Sequence, residues 1–144
     1  MEKQQVREMW IDALQSGEYN QGRIVLHHKN SRNNKEYHCC LGVLCDLYVK
    51  HVGDLVVEFN NTSGNYFYGE KLSNGEVNNY QNELPDNVKD WVGLRSRIGM
   101  ADVNGTLLEE GNSLAALNDG GYTFDEIADV IGGDDYLFVK NMKG

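Results

Sequence analysis

Residues Tyr37 to Tyr48 read Tyr-His-Cys-Cys-Leu-Gly-Val-Leu-Cys-Asp-Leu-Tyr, and they hold all three cysteines of the chain and one of its four histidines. The segment predicts the end of a strand running directly into a short helix marked by Leu41, Val43, Leu44, Leu47 and Tyr48, apolar enough to be buried. Such a junction admits three chemistries. The positive end of a helix dipole favours a cysteine thiolate, its free N–H groups can seat an anion, and clustered Cys and His can ligate a metal.

The rest of the chain weighs against two of these. A cysteine nucleophile needs a base within reach, yet no histidine follows His51, and His51 ends the same helix. His27 or His28 from the preceding strand would have to serve. A zinc site could draw on His27, His28, His38, Cys39, Cys40 and Cys45, but the Cys40-x₄-Cys45 spacing lacks a second knuckle. Small buried cysteines account for the same residues, so no catalytic residue, metal or other cofactor is expected. Asp102-Val-Asn-Gly-Thr106 opens like a calcium loop, but its glycine falls at position four and Ser113 stands where the closing glutamate belongs. Ser113 to Ile131 could pass for helix-turn-helix. The second helix, however, carries Asp125, Glu126 and Asp129, which phosphates would repel.

The flanking sequence fills in a single domain over residues 1–144. Val6, Met9, Trp10, Ala13 and Leu14 predict an amphipathic helix over 2–16, stopped by Ser16-Gly17. Arg23–His28 and Glu36–Cys39 read as strands around an Asn-rich hairpin loop. Leu55–Phe59 and Tyr66–Tyr68 read as two more strands around Asn60–Gly64, and Ser73-Asn-Gly75 is a turn. Pro85 opens a helix that Gly93 stops. Asn104-Gly105, flanked by Ala101, Val103, Leu107 and Leu108, predicts a hairpin. Ser113 starts a helix that Asn118–Gly121 ends, and Thr123 with Glu126 forms a capping box for the next. Tyr136–Val139 reads as a last strand. The fold class expected is α+β, a small antiparallel sheet packed against three or four short helices. The shared core would be Trp10, Leu41, Leu44, Leu47, Trp91, Leu114, Leu117, Phe124 and Ile127.

Charge narrows the partners. The chain carries a formal net charge of −9, which disfavours long nucleic acid. Residues 1–50 hold seven Lys or Arg against six Asp or Glu, while the remainder holds six against sixteen. An anionic ligand would therefore draw on the N-terminal third. No apolar run approaches a membrane span. An odd cysteine count and the absence of a leader-like apolar core point to a reducing, cytosolic setting. What the residues leave is a pocket for a small anionic, nucleotide-like ligand. Arg23 and Arg95 would contact phosphate, His28 would join the cationic hairpin with Lys29, Arg32 and Lys35, and Leu41 and Gly42 would offer backbone N–H groups. An aromatic from Tyr66 to Tyr68 would stack on a base. Arg32, in the exposed loop, is expected to matter less than Arg23 and Arg95. A homo-oligomer is compatible with this reading.

Four motifs follow one another in order: Trp10-x₃-Leu14-x-Ser-Gly-x-Tyr19-x-Gln-Gly22, then Cys-Cys-Leu-Gly-Val-Leu-Cys-Asp-Leu47, then Leu84-Pro-x₅-Trp91-x-Gly-Leu94, then Leu114-Ala-Ala-Leu-Asn-Asp119-x-Gly-x-x-Phe124-x-x-Ile-Ala-Asp129. Together they resemble a family of small proteins carried by bacteriophages and prophages. The polar stretch from Asn60 to Asn82 departs from it in being longer. A phage setting, together with the composition, gives the expectation of an immune-evasion protein of the host bacterial cytosol that sequesters a nucleotide-derived defence signal without cleaving it. The alternatives are an inhibitor of a host protein acting through the acidic C-terminal half, and a cysteine hydrolase of a small substrate.

Overall fold

A computed structural model describes residues 1–100 and 113–139. Its architecture is α+β. Helix α1 (Lys3–Gln15) places Val6, Trp10 and Leu14 in the core, one above the next at i, i+4 and i+8. Gly17, at φ 80°, ends the helical run. Strands β1 (Asn20–Gln21), β2 (His27–Lys29) and β3 (Glu36–His38) form a first sheet in the order β1-β3-β2, with β1 parallel and β2 antiparallel to β3. Strands β4 (Val56–Phe59), β5 (Tyr66–Lys71) and β6 (Val77–Tyr80) form a second, antiparallel sheet. The antiparallel strands are therefore divided between two sheets, stitched along β2. Leu26 N–H donates to the Gln81 carbonyl at 2.6 Å and Lys29 N–H to the Gly64 carbonyl at 2.8 Å.

Helix α2 (Cys40–His51) is the centre of the molecule: every residue from Cys40 to Cys45 is buried. A helix start with no exposed residue needs cover on all sides, whereas Asp46 and Lys50 further along give α2 a polar edge. Cover comes from α1, from α3 (Asp86–Val92), from α4 (Leu114–Asp119) and from the sheets. Gly42 makes the closest approach possible. A Cβ there would sit 1.7 Å from the Leu26 carbonyl oxygen, so only glycine lets α2 reach the backbone leading into β2. Helix α5 (Phe124–Gly133) starts at the expected capping box, with Glu126 N–H donating to Thr123 Oγ1 at 3.1 Å and Thr123 N–H to Glu126 Oε1 at 2.9 Å. It packs beside α1, where Arg7 donates to the Ile131 carbonyl at 2.7 Å and lies over the Phe138 ring. Among the described residues no helix is long and apolar enough to cross a membrane.

Three local expectations change. Tyr136–Val139 is not a strand: Asp135–Leu137 is a 3-10 helix opened by Asp134, which accepts from Tyr136 N–H, and only Phe138 bridges, to Leu94. The strand expected over Arg23–His28 starts at His27, because Arg23–Val25 is a γ-turn. Its Val25 N–H donates to the Arg23 carbonyl at 2.8 Å and its centre, Ile24, stands at φ 72°. Trp91 is partly buried, edge-on to Tyr48 at 5.2 Å, while the other expected core residues are buried. The Asn104-Gly105 hairpin, with Ala101, Val103, Leu107 and Leu108, lies outside the described residues, as does the segment read against a calcium loop.

One side chain joins these parts. Asn118, fully buried, accepts from Cys40 N–H at 3.1 Å and from Gln21 Nε2 at 3.0 Å, and donates to the Gly22 carbonyl at 2.8 Å. Replacing it strands the buried Cys40 N–H and the partly buried Gly22 carbonyl, each costing about 1–3 kcal/mol. Asn118→Ala is expected to lower the free energy of unfolding in urea by about 3–5 kcal/mol. Gly42→Ala, which forces backbone apart, is expected to cost at least as much. A loss under about 1 kcal/mol for Asn118→Ala would contradict its place as the joint.

Candidate functional site

The residues expected at a ligand site are scattered. Arg23 is exposed beside the γ-turn, whose Ile24 N–H is held by Asp119 Oδ1 at 2.7 Å. Arg95 lies on another segment, its Nε donating to the Tyr136 carbonyl at 2.9 Å and its N–H to the Leu137 carbonyl. Leu41 and Gly42 are fully buried against Leu26, and Asn118 already occupies the Cys40 N–H, so the start of α2 is sealed from solvent. Tyr68 is buried with its hydroxyl on His27 Nδ1 at 2.9 Å, and Tyr66 stacks on the His27 ring at 3.7 Å. Of the expected set, His28 alone lines the cleft described next.

That cleft, about 500 Å³ in volume, opens between two hairpin loops. His28, Lys29, Asn30, Ser31, Arg32 and Asn34 form one wall, and Phe59, Asn61, Thr62, Ser63 and Gly64 the other. The loops are built alike. Asn30 Oδ1 accepts from Arg32 and Asn33 N–H, and Asn60 Oδ1 accepts from Thr62 and Ser63 N–H. In both, the residue four further on returns its N–H to the asparagine carbonyl at 2.8 Å: Asn34 at φ 60° and Gly64 at φ 78°. Asparagine and glycine are the residues that tolerate this conformation. The self-contained turns leave side chains free to line the space between them. His28 is fixed by its Nδ1 contact to Asn65 Oδ1 at 2.8 Å and by the close approach of Gly64. Two cations, an aromatic ring and uncharged donors line the space, and among the described residues no carboxylate does.

Behind the cleft a column of rings runs into the core. Phe59 packs on Tyr66 at 4.8 Å, Tyr66 on His27, His27 on His38 at 3.9 Å, and Tyr19 meets His38 edge-on at 5.1 Å. His27 Nε2 contacts Glu36 Oε1 at 2.6 Å. Tyr19 donates to Asp46, which also pairs with Lys50 at 2.9 Å. Neither ring nitrogen of His38 has a hydrogen-bond partner. Burial disfavours the charged form of both imidazoles. His27 is lowered by burial against the opposing pull of Glu36, and His38 is lowered to about 3 by burial and by the neighbouring His27. The sign follows from linkage. The unfolded chain binds these protons near pH 6.5, the folded one does not, so stability falls as pH drops below about 6.5 and is unaffected by these groups above it. His38→Phe, which keeps a ring in the column, is expected to flatten the pH 5–6.5 part of the unfolding curve, where each buried histidine costs up to about 1.4 kcal/mol per pH unit. An unchanged slope would show that His38 is charged in the folded state.

The strand–helix junction does not activate its thiols. Burial pushes Cys39 up to about 11, with the Gly42 and Leu41 N–H groups only partly opposing it, and raises Cys40 and Cys45 well above the ordinary range. All three are free and buried. Iodoacetamide at pH 7.5 is expected to label none of them in the native protein and all three after denaturation. Rapid native labelling would show an open junction. Among the described residues no group of His, Cys, Asp and Glu gathers as a metal site.

Reading from sequence placed Lys29 and Arg32 in a cationic hairpin, yet missed that Phe59 and Asn61–Ser63 would face it. The repeated spacing of Asn30 with Asn34 and of Asn60 with Gly64 was the available signal for twin turns. What brings those turns together is the His28–Asn65 bridge between the sheets, which joins residues far apart in the chain. Comparison with curated proteins and with solved structures finds no match. A family model described as a domain of unknown function, DUF8296, matches residues 1–135, and the chain belongs to that family.

Proposed function

We propose that this protein binds a small anionic, nucleotide-like ligand in the cleft between the two hairpin loops and holds it without cleaving it. The observation that carries the reading is the lining: Lys29 and Arg32 on one wall, Phe59 and three uncharged hydrogen-bonding side chains on the other, with no carboxylate among the described residues. In a chain of net charge −9, a site with no negative group is where an anion meets least repulsion. The aromatic ring offers a base a stacking surface. Thiols that burial keeps protonated are poor nucleophiles, which favours holding over cleaving. The resemblance to phage-borne proteins supports the further step that the ligand is a host defence signal, sequestered in the bacterial cytosol.

A thermal-shift screen against nucleotide signals tests this. A ligand at 100 times its Kd adds about 2.7 kcal/mol, a rise of several degrees for a chain of this size. Arg32→Ala and Phe59→Ala are each expected to abolish most of the shift, while Arg23→Ala leaves it intact. Ligand released by heat should be recovered unchanged; a converted product would make the protein an enzyme. A shift lost in Arg23→Ala but kept in Arg32→Ala would move the site away from the cleft.

A further inference from the structure

Taking that cleft as the ligand site, we infer that it selects a nucleoside carrying a terminal phosphomonoester over one whose phosphate is closed into a diester. Three features of the lining converge on this class. The first is charge. Lys29 is the last residue of β2 and Arg32 stands on the loop that follows it, and neither has an ion-pair partner among the described residues. A terminal phosphate carries about −1.5 to −2 at pH 7, which matches two cations. A diester carries a single charge and would leave one cation partly desolvated and unmatched.

The second feature is geometry. The Arg32 backbone is held by Asn30 Oδ1 at 2.8 Å, which fixes the base of the side chain and leaves its guanidinium fork uncommitted. A terminal phosphate presents three acceptor oxygens. Those suffice for a bidentate fork and the lysine ammonium together, whereas a diester has two unesterified oxygens for the same donors.

The third is His28. Its Nδ1 faces Asn65 Oδ1 at 2.8 Å, while Asn65 Nδ2 is turned to Gln81 Oε1 at 3.4 Å. That orientation of the amide places the hydrogen on Nδ1 and leaves Nε2 as a lone-pair acceptor in the neutral ring. An acceptor on the cleft wall suits a free ribose hydroxyl. Closing a 3′,5′ ring consumes one such hydroxyl along with one phosphate charge. On the opposite wall the Thr62 and Ser63 N–H groups are already committed to Asn60 Oδ1. Their uncharged side chains, with Asn61 and the half-exposed Phe59 ring, suit a neutral base.

Calorimetry on the full chain decides this, using each of the four ribonucleosides in three forms: free, as the 5′-monophosphate, and as the 3′,5′-cyclic monophosphate. At least one 5′-monophosphate is expected to bind tenfold or more tightly than its cyclic form, with the free nucleoside weakest. Lys29→Gln and Arg32→Gln should each weaken the monophosphate about ten- to a hundredfold and the cyclic form less, with melting temperature unchanged in the absence of ligand. Cyclic forms that bind as tightly as the monophosphates, and lose affinity in Arg32→Gln, would overturn the ligand class while keeping the cleft. Monophosphate binding untouched by either substitution would remove the cleft itself. Silence from all three forms overturns the inference, and a shift by a different anion that still depends on Arg32 would leave the broader reading standing.

Discussion

The structure depends on one buried amide. Asn118, at the end of α4, takes the first N–H of α2, the side chain of Gln21 and the carbonyl of Gly22. The start of a helix has unpaired N–H groups that must find acceptors. Here the helix is buried, so the acceptor cannot be water and has to be protein. Gln21 extends the joint, donating to the Tyr122 carbonyl and accepting from Phe124 N–H, so β1, α2, α4 and α5 meet at adjoining residues. Trp10 adds α1 by donating its ring N–H to the Cys40 carbonyl at 2.9 Å.

This joint explains what the motif residues do. Trp10, Tyr19, Gln21, Gly22, Cys40, Gly42, Asp46, Asn118, Asp119 and Phe124 all belong to the four motifs, and each is engaged in closing the core or its edges. Asp119 holds an exposed isoleucine in a positive-φ turn, a conformation that a β-branched residue adopts only where the surroundings over-determine it. The motifs are thus a specification for packing, and the chemistry suggested by the cysteine-rich junction is sealed away by the same packing. Desolvation outweighs the helix dipole there: the dipole acts on a thiolate, and a fully dehydrated site disfavours any charge.

The cleft, by contrast, lies at the rim, on loops whose backbone needs are met within each turn. Its character comes from a mismatch between local and global charge. A protein at −9 repels anions at long range, within a Debye length of roughly 8–10 Å at ordinary ionic strength. A ligand must therefore be held by close contacts, which Lys29, Arg32 and His28 are placed to provide. The ring column from Phe59 through Tyr66 and His27 to His38 ties the second wall to the core. A stiff wall reduces the ordering cost of binding.

Much of the fold was legible in the sequence. The 3.6-residue spacing of Val6, Trp10 and Leu14, the apolar run after Cys39, the Thr123–Glu126 box and the glycines at 17, 75 and 93 each act through neighbours a few residues away, and local physics is what a sequence states directly. β1 and β6 were not legible, because Asn20-Gln21 and Val77-Asn-Asn-Tyr80 are mostly polar and owe their pairing to a partner rather than to their own composition. Nor was the C-terminal 3-10 helix, where Asp134 captures the chain. For the cleft, residue types alone pointed to the cationic hairpin and His28, which line it. They did not show that Leu41 and Gly42 are buried, since burial of a helix start depends on which distant backbone, here Leu26, packs against it. That Arg32 and Phe59 share a cleft while Arg23 and Arg95 lie elsewhere was decided by tertiary structure alone: the pairing of His28 with Asn65 brings two loops together across 37 positions of chain, and no local pattern encodes a contact at that separation.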